Sequence, residues 1–245
     1  MSVRFGGIQA LSEAGLTVRR GEIVSVIGPN GAGKTTLLGV VSGAVRAMGG
    51  TVFVDGRDLT GRPVHERAVA GVLRTFQNLE IFSNMTVLEN VLTGAHLTAG
   101  YSLLDSLLRT RRFRREERRL RGACLAHLDF IGLADRAGDM ASELPYGEQR
   151  LLELARALAA APRLLLLDEP AAGMNNAETS GLGSIIRRVR DELDVSVVLV
   201  EHDMDLVMEV SDRVTVLNFG HVLAEGSPSA IQENPEVVAA YLGED

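Results

Sequence analysis

A chain of 245 residues with 46% hydrophobic content and a net charge of −7 can bury a sizeable core as one large domain, or as one domain with an inserted lobe, and gives no whole-chain case for nucleic-acid binding. Its single cysteine, Cys124, excludes an internal disulfide and reads as a buried or idle thiol suited to the cytosol. No apolar run approaches the roughly 18 residues of a membrane span, and the opening Met1-Ser-Val-Arg-Phe5 lacks a signal-peptide pattern, so the polypeptide is expected to be soluble by itself.

In chain order, the first clear element is residues 22–27, Glu-Ile-Val-Ser-Val-Ile, an apolar run that fits a buried parallel strand. It enters Gly28, Pro29, Asn30, Gly31, Ala32, Gly33, Lys34, Thr35 and Thr36, and residues 34–42 then take helical spacing. Strand, glycine-rich turn and helix is the setting that the GxxxxGK[ST] pattern requires. The glycines let the backbone wrap closely round an anion, so that successive N–H groups and the positive end of the helix point at phosphates. Lys34 is the only lysine; the other 24 of the 25 Lys+Arg residues are arginine. Its compact ammonium reaches between β- and γ-phosphates, where a wide planar guanidinium would collide with the loop. Thr35 supplies a hydroxyl for Mg²⁺. The expected ligand is a nucleoside triphosphate, but this motif alone does not separate kinases, GTPases and ATP-driven machines.

Residues 51–56, Thr-Val-Phe-Val-Asp-Gly, predict an antiparallel strand ending in an Asp-Gly turn, peripheral to the main sheet. From about 82 to 146 strand-like runs vanish and helical stretches follow one another, which predicts an inserted helical lobe. Within it, residues 109–121 hold eight arginines and two glutamates, a solvated helix face or a surface drawn to anionic lipid headgroups or to a membrane partner's loops. The α/β pattern resumes in residues 164–167, 195–200 and 214–217, runs of the kind found in a sheet covered on both faces. The first of these ends in Asp168 and Glu169, at the strand end where open α/β sheets place ligand chemistry. There Asp168 can hold Mg²⁺ through water, and Glu169 can orient or deprotonate an attacking water. His202, following the second run, reaches toward a γ-phosphate from the neighbouring strand end, or is an ordinary surface histidine.

With these residues in place the chain resembles the ATP-binding subunits of ABC transporters over essentially its whole length. The motifs occur in the family's order: residues 28–36 as Walker A, Gln77 as the Q-loop glutamine, Leu144, Pro145, Tyr146, Gly147 and Glu148 as the signature segment, Asp168 and Glu169 as Walker B, and His202 as the switch histidine. The resemblance implies an α/β fold of P-loop NTPase type, with a parallel-sheet core, a peripheral antiparallel β subdomain and an inserted helical subdomain. It divides a single ABC ATP-binding domain into a core of residues 1–81 and 151–245 and a helical part of about 82–150. It also implies ATP and Mg²⁺ as cofactors, with Gln77 sensing the metal and the nucleophilic water beside Thr35 and Asp168. Phe5 stands where the family stacks an aromatic on adenine; the other reading is a core phenylalanine in the first strand, and the family usually has several more residues ahead of it.

Residues 74–78, 144–147, 168–175 and 201–204 and the ending 234–244 resemble the branched-chain amino acid importer branch, whose wording is shared by relatives that import urea, short amides or aromatic acids. That branch implies a second ATP-binding subunit, a paralogue or in isolation an identical copy, and two transmembrane permease subunits. It further implies a secreted solute-binding protein acting indirectly, a peripheral location on the cytoplasmic face of a bacterial or archaeal inner membrane, and no nucleic-acid partner. Two positions depart from the wider family. Pro145 stands where a signature serine is usual, and Asn175 where an aspartate is usual, so contact with the opposite subunit's nucleotide falls to Gly147 and the amides of the helix predicted over 147–159. A GTPase would need an Asn-Lys-x-Asp segment, which a chain with Lys34 as its sole lysine cannot contain. A P-loop kinase needs neither the signature nor the histidine, and a translation or repair ATPase of this family would carry two motif sets or a coiled coil. An exporter subunit is the remaining rival.

Overall fold

The computed structural model describes residues 1–75 and 79–242. The chain forms two compact units, one of Met1–Gln77 with Arg163–Asp245 and one of Asn78–Pro162. In the first unit, β1 (Val3–Phe5) and β2 (Ile8–Leu11) make a small antiparallel sheet, and β3 (Ile23–Ile27) leads into α1 (Lys34–Ser42). A second hairpin joins β4 (Phe53–Val54) to β5 (Arg57–Asp58) across Asp55 and Gly56, both at positive φ as a tight type I′ turn demands. Then come α2 (Val64–Val69) and β6 (Val72–Arg74).

The second unit holds α3 (Val87–Ala95), α4 (Leu103–Leu107), α5 (Arg111–Phe130) and α6 (Tyr146–Leu158). Thr86 and Glu89 close a capping box at the start of α3, and the Thr110 hydroxyl caps α5 by accepting from the Phe113 amide. One buried side of each long helix builds the unit's core, with Val87, Val91 and Ala95 on α3, Leu120, Cys124 and Leu128 on α5, and Leu152, Ala155 and Leu158 on α6. Burial pushes the Cys124 thiol up to about 11, so it stays protonated and unreactive. The sequence-based boundary at 150/151 falls inside α6. The helix instead continues unbroken to Leu158 with its apolar side packed on α3, and the unit ends at Pro162.

The first unit resumes with β7 (Leu164–Asp168), α7 (Asn176–Leu193), β8 (Ser196–Val200), α8 (Met204–Val210), β9 (Arg213–Asn218), β10 (His221–Gly226), α9 (Pro228–Gln232) and α10 (Pro235–Leu242). Six strands form one sheet in the order β10-β9-β3-β8-β7-β6, parallel except for β10 at the edge. Burial on both faces explains the unbroken aliphatic runs. Val26, Leu166 and Val198 pack with Leu37 and Leu38 of α1 on one face, while Ile27, Val214 and Val216 pack with Val207 and Ile231 on the other. Because β3, β8 and β7 are parallel neighbours, Val26, Val200 and Asp168 lie in one row and the three following loops emerge along one edge. No described helix is long and apolar enough to cross a membrane.

Candidate active site

The loop after β3 is shaped by close backbone contacts. Gly28 sits at φ 146°, and a Cβ there would lie 2.0 Å from the Leu217 carbonyl oxygen; a Cβ on Gly33, at φ 104°, would lie 2.6 Å from that of Ala10. No side chain larger than hydrogen fits either place. Gly33 caps α1 without a side-chain hydrogen bond, and the first turn of that helix carries no acidic residue, so its positive end faces the loop uncompensated. Lys34, 6% exposed, donates from Nζ to the carbonyls of Gly28 at 2.6 Å and Pro29 at 2.9 Å, which holds the ammonium across the inside of the loop. Thr35 lies exposed in the same first turn, next to the half-buried Thr36.

Two strands away, at the end of β7, Asp168 is 1% exposed. Its Oδ2 accepts from Arg74 Nη2 at 2.7 Å, forming an ion pair at the end of β6 that the motifs did not single out. Its Oδ1 is buried with no hydrogen-bond partner among the described residues. A buried, unpartnered carboxylate oxygen at the sheet edge fits a divalent cation or the water bound to one. No group of three or more His, Cys, Asp or Glu side chains among the described residues could cage a metal. Mg²⁺ commonly takes one or two protein oxygens and completes its shell with water and phosphate, so the donor set here suits it.

Glu169 turns the chain sharply. It adopts φ 50°, and its N–H donates to the Val200 carbonyl at 2.8 Å, which projects the side chain along the sheet edge. There its Oε1 meets His202 Nε2 at 3.0 Å; an ionised carboxylate only accepts, so the ring nitrogen is the donor. Beneath this pair lies Glu201, 5% exposed, which opens residues 201–204 and had no role of its own in the sequence. Its Oε1 accepts from the Ala171 amide at 2.8 Å and its Oε2 from the His202 amide at 3.0 Å, so one carboxylate ties the loop after β7 to the loop after β8. Burial raises the Glu201 carboxyl above its ordinary value, the amide donors oppose this, and the nearby charge of Glu169 adds to it. Replacing Glu201 with Ala leaves buried amides unsatisfied and is expected to lower unfolding free energy by about 1–3 kcal/mol, measured by denaturant titration; wild-type stability would remove the carboxylate from this role.

The family described as ABC transporter matches residues 11–172, and that described as branched-chain amino acid ATP-binding cassette transporter matches residues 221–245. The high-affinity branched-chain amino acid transport ATP-binding protein BraF of Pseudomonas aeruginosa is 44% identical, over the whole of this chain and 96% of its own length. Its counterpart LivG of Salmonella typhimurium is 45% identical with the same coverage. The chain belongs to the ATP-binding proteins of ABC transporters, in the branched-chain amino acid group. The crystal structure of the ADP conformation of MJ1267, an ATP-binding cassette of an ABC transporter, superposes with a TM-score of 0.86 at 31% identity, covering 99% of this chain and 96% of that one. As an ABC ATPase, the chain binds ATP and couples its hydrolysis to transport.

In the second unit, Pro145 takes the N-cap position of α6, which starts at Tyr146, one residue before the predicted 147. Gly147 is buried in the first turn. The Leu144 carbonyl accepts from Gln149 Nε2 at 2.8 Å, Glu148 lies 3.5 Å from Arg136, and the Arg150 guanidinium packs over the exposed Tyr146 ring. Asn175 caps α7, its Oδ1 accepting from Ala177 and Glu178 amides, so the change from the family's aspartate keeps the local hydrogen bonds without the charge. Phe5 is 54% exposed, which overturns the core alternative and leaves an aromatic face in the β1–β2 sheet, whose Ala10 carbonyl borders Gly33. Gln77 lies outside the described residues.

Proposed function

We propose that this chain is the ATP-hydrolysing subunit that powers an importer of branched-chain or other hydrophobic amino acids. The observation that carries the reading is the full-length likeness to BraF and LivG, joined to Lys34, Asp168, Glu169 and His202 along one sheet edge. The two units make a single ABC ATP-binding domain. Two such domains face each other head to tail, each ATP held between residues 28–36 of one and residues 144–148 of the other. Pro145 has neither hydroxyl nor N–H, so Gly147 and the amides opening α6 meet the γ-phosphate. Phe5 stacks on the adenine, and Lys34 and the loop amides bind the β- and γ-phosphates. Glu169 accepts a proton from the attacking water, while His202 leaves Glu169 to steady the γ-phosphate.

Thr35, Asp168 and Gln77 would hold Mg²⁺, which when bound neutralises charge developing on the phosphates. Cleavage removes the anion shared by the two subunits and lets them part, moving two transmembrane permease subunits docked on the cytoplasmic face of a bacterial or archaeal inner membrane. The second ATPase is a paralogue, and a secreted solute-binding protein delivers the cargo.

Reconstitution tests this. The chain, assembled in proteoliposomes with the permease subunits and solute-binding protein encoded beside it, is expected to drive ATP-dependent uptake of leucine, isoleucine and valine. Transport confined to urea, short amides or aromatic acids, or directed outward, would overturn the assignment.

A further inference from the structure

The arginines of residues 109–121 are not a uniformly solvated run, because the structure sorts them. Both glutamates of the block are engaged on one side of α5, Glu117 accepting from the Tyr101 hydroxyl at 3.1 Å and Glu116 pairing with Arg119 at 3.0 Å. On that side Arg119 also donates to the Thr98 carbonyl, Arg112 donates to that of Gly100, and the Phe113 ring meets Tyr101 edge-on with centroids 5.0 Å apart. These contacts fix which way the helix faces. Arg111, Arg114, Arg115 and Arg118 then recur at i, i+3, i+4 and i+7, a single stripe, and all four are exposed. None has a carboxylate within ion-pair distance among the described residues.

Ahead of this stripe in the chain stand Leu107, the last residue of α4, and Leu108, 78% and 72% exposed. Four cations on one helix face, with two bare leucines just ahead of that helix in the chain, match an anionic surface that also admits apolar side chains. An acidic protein segment would satisfy the arginines but gives no reason for both leucines to be bare. The rest of the molecule opposes any general attraction, since the chain as a whole carries −7.

We propose that the stripe of Arg111, Arg114, Arg115 and Arg118, with Leu107 and Leu108 ahead of it in the chain, is a docking surface for anionic lipid headgroups. It rests on the transporter reading only in that this reading brings a membrane close to the chain. Each arginine near an anionic surface raises the partition coefficient by a factor of about five, so the stripe dominates binding at low salt and weakens as salt is added. The leucines supply the part that salt does not remove.

The test is flotation of the full chain with vesicles of equal parts phosphatidylglycerol and phosphatidylcholine, and with phosphatidylcholine alone. Wild type is expected to float with the anionic vesicles only. Arg111→Glu, Arg114→Glu, Arg115→Glu and Arg118→Glu together should abolish flotation, whereas an equal charge change elsewhere, Arg57→Glu, Arg62→Glu, Arg187→Glu and Arg188→Glu, should lower it by less than half. Leu107→Ser with Leu108→Ser should remove the salt-resistant fraction. Wild type that stays with the unbound protein, or a stripe variant that floats as well as wild type, overturns the proposal. So does loss of assembly with the permease subunits by a stripe variant when wild type fails to float, which would make the stripe a protein contact. ATP hydrolysis by the stripe variant, measured in parallel, should equal that of wild type, so a failure here is separable from a failure of the transporter reading.

Discussion

Glu169→Gln is expected to bind ATP with wild-type affinity and to hydrolyse it about 10²–10⁴ times more slowly. The substitution changes little besides basicity. Glutamine has the same length, its amide oxygen can still accept from His202 Nε2, and the φ of 50° at residue 169 is imposed by the bond from its N–H to Val200 rather than by the side chain. Nothing in the change touches the loop that holds phosphates, so nucleotide titration should be unmoved while steady-state phosphate release falls. With cleavage blocked, the head-to-tail pair should accumulate in ATP and be visible as a doubled mass on sizing. A variant that turns over ATP at near-normal rate would remove Glu169 as the base, and Asp168, already paired with Arg74, could not easily replace it.

Asp168 and Glu169 are adjacent carboxylates in different surroundings. The strand ends with Asp168 buried and one of its oxygens held by Arg74. Glu169 is less enclosed and faces His202, whose Nε2 lies 3.0 Å from its Oε1. Glu201 below holds the two loops in register, because it grips backbone amides of both.

Much of this was legible in residues 22–36 and 164–202, and the reason is physical. A strand buried on both faces must be aliphatic throughout, and a turn whose Cβ positions are filled by carbonyls must be glycine, so β3, β7, β8, Gly28 and Gly33 announce themselves. The Asp55-Gly56 turn did so for a different reason, since both residues sit at positive φ, which Asp-Gly favours. What escaped has no local signature. β6 is only three residues long, and β10 is an edge strand of mixed exposure, so neither presents a run to count. The role of Arg74 depends on a partner 94 positions away, and that of Glu201 on an amide 30 positions away. In hindsight, a charged residue ending an apolar strand beside Gln77 or His202 was the available clue. The 150/151 boundary cut through the helix that residues 147–159 themselves predict, and α6 stays whole to Leu158 with its unit ending at Pro162.

Lys34→Ala is expected to weaken ATP binding by about 10–100-fold, the loss of a charge-assisted contact worth roughly 1.5–3 kcal/mol. The backbone of the loop should survive, because its shape is set by the contacts of Gly28 with Leu217 and of Gly33 with Ala10, in which the lysine takes no part. The carbonyls of Gly28 and Pro29 would each lose a donor, so a stability loss of about 1 kcal/mol should accompany the affinity loss, small enough for a melting curve to confirm a folded protein. Lys34→Arg should not restore binding. In a chain with 24 arginines and one lysine, this position calls for a narrow ammonium, and a guanidinium cannot enter between the loop carbonyls and the phosphates. Comparing nucleotides locates the effect. Affinity for AMP, which has neither β- nor γ-phosphate, should be the same in wild type and variant, while ADP loses part and ATP loses most. Equal losses for all three would mean that the substitution had deformed the pocket as a whole, and unchanged ATP affinity would take the phosphates away from Lys34 altogether.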